Sequence, residues 1–201
     1  MSGRRLEFFY DCSSPWTYLA FHRIEEIASQ AGVGLVWRPI LVGGVFNAVN
    51  ASVYENRANP VPRKFDYSRK DLQDWARLYG LRIGWPEVFP VNSVKAMRGA
   101  IVAEEHGMIS SWSRAVFEAY WGNLLDISQD AVLERIAAEV GLDWEELSAK
   151  IQSPAYKQRL RGNTDELIER GGFGSPTLFV DGDDMYFGND RLPLVIEALR
   201  R

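Results

Sequence analysis

A single cysteine in 201 residues, Cys12, leaves no partner for an internal disulfide and no C-x-x-C redox pair. Histidine is nearly as scarce: His22 and His106 stand alone, with no cysteine or carboxylate at ligand spacing, so both read as surface or packing residues and no metal site is expected. No apolar run approaches the roughly 20 residues that cross a bilayer. Arg4 and Arg5 run straight into a strand, without the apolar stretch and small-residue cleavage site of a leader. Basic residues are not in excess: 23 Lys and Arg against 27 Asp and Glu leave a net charge of -4, which argues against a nucleic-acid or anionic-membrane partner. Neither a G-x-G-x-x-G turn after a strand nor a P-loop is present, so no nucleotide is implied. The expectation is a soluble cytoplasmic protein whose 46% hydrophobic content suffices for one sizeable core.

What is present falls into three parts. Residues 5–10 read as a strand, 15–31 as a helix closed by Gly32, and 33–38 as a second strand stopped by Pro39. Residues 47–66, "NAVNASVYENRANPVPRKFD", are polar and punctuated by proline, so a loop is expected. Ser68 and Asp71 have the spacing of a capping box before a helix carrying Leu72, Trp75, Ala76 and Tyr79. Asn92 is a candidate cap for the next helix, and further helices read at about 111–121, 128–140, 143–151 and 154–170. The end returns to strands: "TLFVDGDDMYFG" is a hairpin around Asp181-Gly182-Asp183, and Asp190 is placed to cap a final helix. The order βαβ, helical block, ββα predicts an α/β, thioredoxin-like fold with a large all-helical insertion, as in DsbA-like proteins. The expected division is 1–58 with 171–201 as the sheet domain and 59–170 as the insertion.

The segment "FFYDCSSPWTYLAF" at 8–21 bends from the first strand into the first helix. Pro15 suits the first helical position and Ser14 the cap before it. Ser14 and Thr17 stand where a redox protein would place a dithiol. A serine there is a helix cap, and the same helix end, with its free N–H groups and partial positive charge, can also stabilise a thiolate supplied from outside. Cys12, two residues before the cap, is expected to point into the core as a small hydrophobe rather than act as a nucleophile.

"FYD..SPW.Y" at 9–18, "RP" at 38–39, "FGSP" at 173–176 and "FGNDR" at 187–191 together resemble the kappa-class glutathione transferases and their relatives, the 2-hydroxychromene-2-carboxylate isomerases. "DYSRKDLQDWARLYGL" at 66–81 fits the isomerase branch. The resemblance implies glutathione as cofactor, with the Ser14 hydroxyl on its sulfur beside Pro15 and Trp16. It implies a cis Ser175-Pro176 bond whose serine backbone pairs with the cysteinyl segment, and a γ-glutamyl site at Gly188, Asn189 and Asp190. Asn59, before Pro60, resembles the family's N-x-P loop and is the candidate substrate contact, against the plainer reading of a solvated loop asparagine. The isomerases' substrate-binding lysine has no counterpart in "LVGGVFNAVN" at 41–50, and Arg57, Arg63, Lys64 and Lys95 are the available replacements. The implied activity is glutathione-dependent isomerisation of a small aromatic substrate by a homodimer. The alternatives are a transferase or peroxidase acting on another electrophile, or a redox-inactive peptide-binding module.

Overall fold

The computed structural model describes residues 4–201; the first residues of the expected sheet domain, 1–3, lie outside the described residues. Four strands form one sheet in the order β2-β1-β3-β4: β1 (Arg5–Tyr10), β2 (Gly34–Pro39), β3 (Thr177–Val180) and β4 (Asp184–Phe187). β1 pairs parallel with β2 and antiparallel with β3, and β3 runs antiparallel to β4. As a central strand β1 is covered on both faces, which is why its sequence is a continuous apolar run rather than an alternation. Leu6, Phe8 and Tyr10 enter the larger buried cluster, while Phe9 joins Phe179, Ile40, Val45 and Leu167 on the other side.

Glu7 is also wholly buried on β1, ion-paired with Arg170 at 2.9 Å and with Arg5 and Arg38 at 3.4 Å. Burial alone would raise the Glu7 pKa, but these guanidiniums, Arg170 foremost, hold it below the ordinary value. Arg170 also lies 3.8 Å from the centre of the Phe179 ring.

β1 and β2 are joined by α1 (Pro15–Ala31), which ends at Gly32 in the left-handed conformation, φ 65°. Between β2 and β3 run α2 (Val42–Val49), α3 (Ser52–Ala58), α4 (Pro62–Leu78), α5 (Val94–Glu105), α6 (Ile109–Phe117), α7 (Asp130–Val140), α8 (Trp144–Gln152) and α9 (Pro154–Glu169). A π-helical turn, Glu118–Gly122, extends α6, and α10 (Leu192–Leu199) closes the chain. One buried cluster runs from the sheet through α1 into this block. Tyr10 on β1 bonds Ser113 on α6 at 2.7 Å in the interior, and Phe21 and Phe117 pack at 4.9 Å between centroids.

Four sequence expectations need correction. The stretch 47–66 is helical, covering the end of α2, all of α3 and the start of α4. Its prolines do not break these helices: Pro62 opens α4, where a missing N–H costs nothing. Ser68 and Asp71 therefore lie inside α4 and form no capping box. Asp190 does not cap α10 either. It sits in a 3-10 turn, Asn189–Arg191, and its carboxylate pairs with Arg191 at 2.6 Å. Asn92 is not the cap of α5 either: Ser93 holds that position without a side-chain cap bond, and Asn92, one residue earlier, accepts the Val94 N–H at 3.1 Å.

Candidate active site

The site grows from the β1–α1 corner. Ser14 is extended, φ -100° and ψ 124°, and caps α1 by accepting the Thr17 N–H at 3.3 Å. Pro15 has no N–H to give, so Trp16 supplies the first-turn donor that lacks a capping partner among the described residues. The Ser14 hydroxyl in turn donates to the Ser175 carbonyl at 3.1 Å.

Ser175 faces the corner from the loop before β3, and its bond to Pro176 is cis. Its Oγ accepts the Asp11 N–H at 3.0 Å and pairs with Thr17 Oγ1 at 2.8 Å. Both positions of the former dithiol spacing, 14 and 17, thus reach residue 175. Of the Ser175 backbone groups expected to pair with the cysteinyl segment, only the N–H is unpaired among the described residues, since Ser14 already occupies the carbonyl. That oxygen has a second lone pair for an added strand.

Asp11 fixes the corner from below. Its buried carboxylate accepts the N–H groups of Ser13 (2.9 Å) and Val42 (2.8 Å) and the Ser93 hydroxyl (3.1 Å), joining β1 to the starts of α2 and α5. Burial nevertheless raises its pKa. Cys12 is buried as expected, and burial pushes its thiol well above the ordinary range. Trp121, in the π-helical turn, donates to the Cys12 carbonyl at 2.8 Å and ties the corner to the helical block.

Two cavities meet here, sharing Trp16, Ser175 and Phe187. The smaller, about 310 Å³, runs past Pro176 to Gly188, Asn189, Asp190 and Arg191, with Asp71 and Trp75 of α4 as its far wall. Gly188 has φ 102°, and a Cβ there would stand 2.7 Å from Asp190 Oδ1, so the turn requires glycine. Asn189 is 1% exposed, and neither atom of its amide has a hydrogen-bond partner. Burial raises the neighbouring Tyr79 phenol and its approach to Asn189 offsets part of that rise, yet no bond of acceptable geometry forms between them. A buried amide without partners is costly, and it matches a polar ligand in the cavity it lines.

The larger cavity, about 610 Å³, opens beside Ser14 and Pro15. Phe46, Phe65, Trp85 and Phe89 make much of its wall, and Asn56 and Arg57 of α3 contribute polar groups. Asn59 does not line either cavity: it is exposed at the end of α3, its N–H spent on the Glu55 carbonyl at 2.8 Å. Of the four basic candidates only Arg57 reaches the wall, while Lys95 pairs with Asp130 at 2.6 Å elsewhere. The structure therefore brings together Ser14, Pro15, Trp16, Ser175, Pro176, Gly188, Asn189 and Asp190, and leaves Asn59 out. Asp71, Trp75 and the aromatic wall were missed. Their apolar or amphipathic positions signal helix packing, and nothing local separates a cavity wall from a core.

Comparison with known proteins agrees with this fold. The DSBA-like thioredoxin domain matches residues 5–200. A 2-hydroxychromene-2-carboxylate isomerase from Pseudomonas putida is 32% identical over 98% of this chain and 94% of its own. Human glutathione S-transferase kappa 1 is 28% identical over 98% of this chain and 91% of its own. A solved structure of a 2-hydroxychromene-2-carboxylate isomerase superposes with a TM-score of 0.83 at 29% identity, covering 98% of this chain and 95% of that one. The chain belongs to the DsbA-like thioredoxin family, in the branch of the 2-hydroxychromene-2-carboxylate isomerases and kappa-class glutathione transferases.

Proposed function

We propose that this protein is a glutathione-dependent isomerase of the 2-hydroxychromene-2-carboxylate type. The observation that carries the reading is Ser14: a hydroxyl on a helix N-terminus that lines the larger, apolar cavity beside Trp16 and Ser175, the residues through which that cavity meets the smaller one. The isomerase and kappa-transferase relatives support it.

The residues present fit glutathione. Asn189, Gly188 and Asp190 would take its γ-glutamyl end, the Ser175 N–H and second carbonyl lone pair its cysteinyl backbone, and Ser14, with Pro15, Trp16 and Pro176 around it, the sulfur. Bound glutathione supplies a thiolate nucleophile that adds reversibly to a conjugated carbon and is regenerated, so that a double bond can rotate while it is single. The Ser14 hydroxyl turns from the Ser175 carbonyl to donate to the sulfur, and the Trp16 N–H and helix end favour its charged form. The aromatic wall holds a flat substrate and keeps water off the sulfur.

The apolar character of the larger cavity also admits neutral electrophiles, which favours transferase activity as a second reading. No described helix is long and apolar enough to cross a membrane, and we take the protein to work as a cytoplasmic homodimer, as its family resemblance implies. The test is turnover of 2-hydroxychromene-2-carboxylate followed by absorbance, with and without glutathione. Glutathione-dependent interconversion is expected, and its absence at saturating glutathione would reject the isomerase reading.

A further inference from the structure

Thr17 and Ser175 share one hydrogen bond between two hydroxyls, at 2.8 Å, and its direction follows from the protons and acceptors around it. A hydroxyl gives one proton and accepts two. Thr17 is wholly buried, and its Oγ1 meets no other partner among the described residues. A helical threonine can turn back on the carbonyl one turn earlier, as Thr164 does on Leu160 at 2.8 Å. Thr17 does not. Its buried proton has only Ser175 Oγ to meet, so Thr17 is the donor.

Ser175 Oγ then has both lone pairs filled, one by Thr17 and one by the Asp11 N–H at 3.0 Å, and its own proton unspent. No acceptor among the described residues takes that proton. Ser175 is buried, yet it lines both cavities. The side chains that share this junction, Trp16 and Phe187, bring an indole donor and a bare ring and offer no acceptor. The open direction for the proton is into the cavity space. Ser14, on the facing loop, is arranged the other way: its proton already lies on the Ser175 carbonyl. Serving a ligand costs Ser14 a hydrogen bond and costs Ser175 none.

We propose that the Ser175 hydroxyl is a second donor to the glutathione sulfur, so that serines from two facing loops hold one thiolate. The identity of the acceptor rests on the glutathione reading, whereas the direction of the donor rests on the hydrogen bonds alone. A donor oriented before the ligand arrives needs no rearrangement when charge develops on it. Its bond to a thiolate is charge-assisted, and it favours the ionised sulfur beyond what Ser14 and the helix end supply. Residue 175 therefore acts through its side chain as well as through its backbone.

The experiment compares Ser175→Ala with Thr17→Val by the ultraviolet absorbance of bound glutathione against pH. Both variants lose the hydrogen bond between the two hydroxyls, but only Ser175→Ala loses the proton that faces the cavity. Ser175→Ala is expected to raise the thiolate midpoint by about one pH unit or more, while Thr17→Val stays near the wild type. Equal shifts in the two variants, or none in Ser175→Ala, overturn the proposal and leave the pair a structural bond. Neutron diffraction from wild-type crystals exchanged into heavy water needs no variant. It should place the Thr17 deuteron towards Ser175 Oγ and the Ser175 deuteron towards the cavity, and the reverse arrangement overturns the proposal. Calorimetric titration of the wild type with glutathione comes first. Absence of binding there rejects the glutathione reading and the sulfur as acceptor together, whereas glutathione that binds with an unresponsive midpoint rejects the role of Ser175 alone.

Discussion

The Ser14 hydroxyl donates to the Ser175 carbonyl oxygen at 3.1 Å, across 161 positions of sequence. The bond joins the two loops that frame the proposed thiolate site, and it spends the one proton the serine has to give. Ser14 is thus a cap and, in the proposed mechanism, the reversible donor of the corner, and the two roles separate by experiment.

Ser14→Ala is expected to cost about 0.5–2 kcal/mol of stability through the lost cap. If the hydroxyl also holds the sulfur of bound glutathione, losing that charge-assisted bond removes about 1.5–3 kcal/mol and raises the thiolate midpoint by about one to two pH units. Ultraviolet absorbance of bound glutathione against pH measures it in both proteins. An unchanged midpoint would leave Ser14 as a cap alone.

Thr17 is wholly buried, its hydroxyl on Ser175 Oγ and its N–H on Ser14. Thr17→Val keeps the shape and strands a buried hydroxyl at Ser175, a loss of about 1–3 kcal/mol by denaturant titration. Thr17→Ser should restore most of it. A smaller loss in Thr17→Val than in Thr17→Ser would mean that the methyl, not the hydrogen bond, does the holding.

Cys12→Ala should lower stability by about 1–2 kcal/mol through a small cavity and leave glutathione-dependent turnover in place. The native thiol, buried and shifted upward, should resist a colorimetric thiol reagent that labels it at once in denaturant. Fast labelling of the folded protein, or reduction of insulin disulfides, would show that Cys12 is an active group.

Arg170→Met removes the strongest partner of buried Glu7 and is expected to cost about 3 kcal/mol near neutral pH. In the wild type Glu7 has a folded pKa below the ordinary 4.5, so its contribution is present above that value and is lost as pH falls through the lowered one. Without Arg170, burial dominates and the folded pKa rises, so acidification relieves the variant. The stability gap should therefore narrow below about pH 4.5; a gap constant with pH would place the effect in packing on Phe179.

The legible parts of the chain were those where one residue decides the local geometry. The apolar run of β1, the glycine closing α1, the Ser14-Pro15 start and the hairpin at 181–183 each carry their own physical signature. Residues 51–70 do not, because they are almost entirely exposed and a helix without a buried stripe shows no period to read. The corner residues were recoverable as a local pattern, and the cis Ser175-Pro176 bond only through family resemblance. Arg57 stood among four basic candidates that the sequence left open, and Asp71 and Trp75 were not recoverable at all, since only folding brings α3 and α4 to the corner. Asn189 was reachable only as part of the γ-glutamyl site that the resemblance implies, and its burial without partners is a property of tertiary packing alone.

α3 buries none of its residues, and α4 buries only Leu72 and Ala76, yet these helices supply much of the ceiling over Ser14. The corner is welded to the sheet through Asp11 and Trp121, whereas the ceiling owes almost nothing to the core. Substitutions in residues 51–65 can thus accumulate at little cost to folding while they change what fits beneath. A lineage built this way can inherit its sulfur chemistry intact and diverge in its choice of molecule, one surface helix at a time.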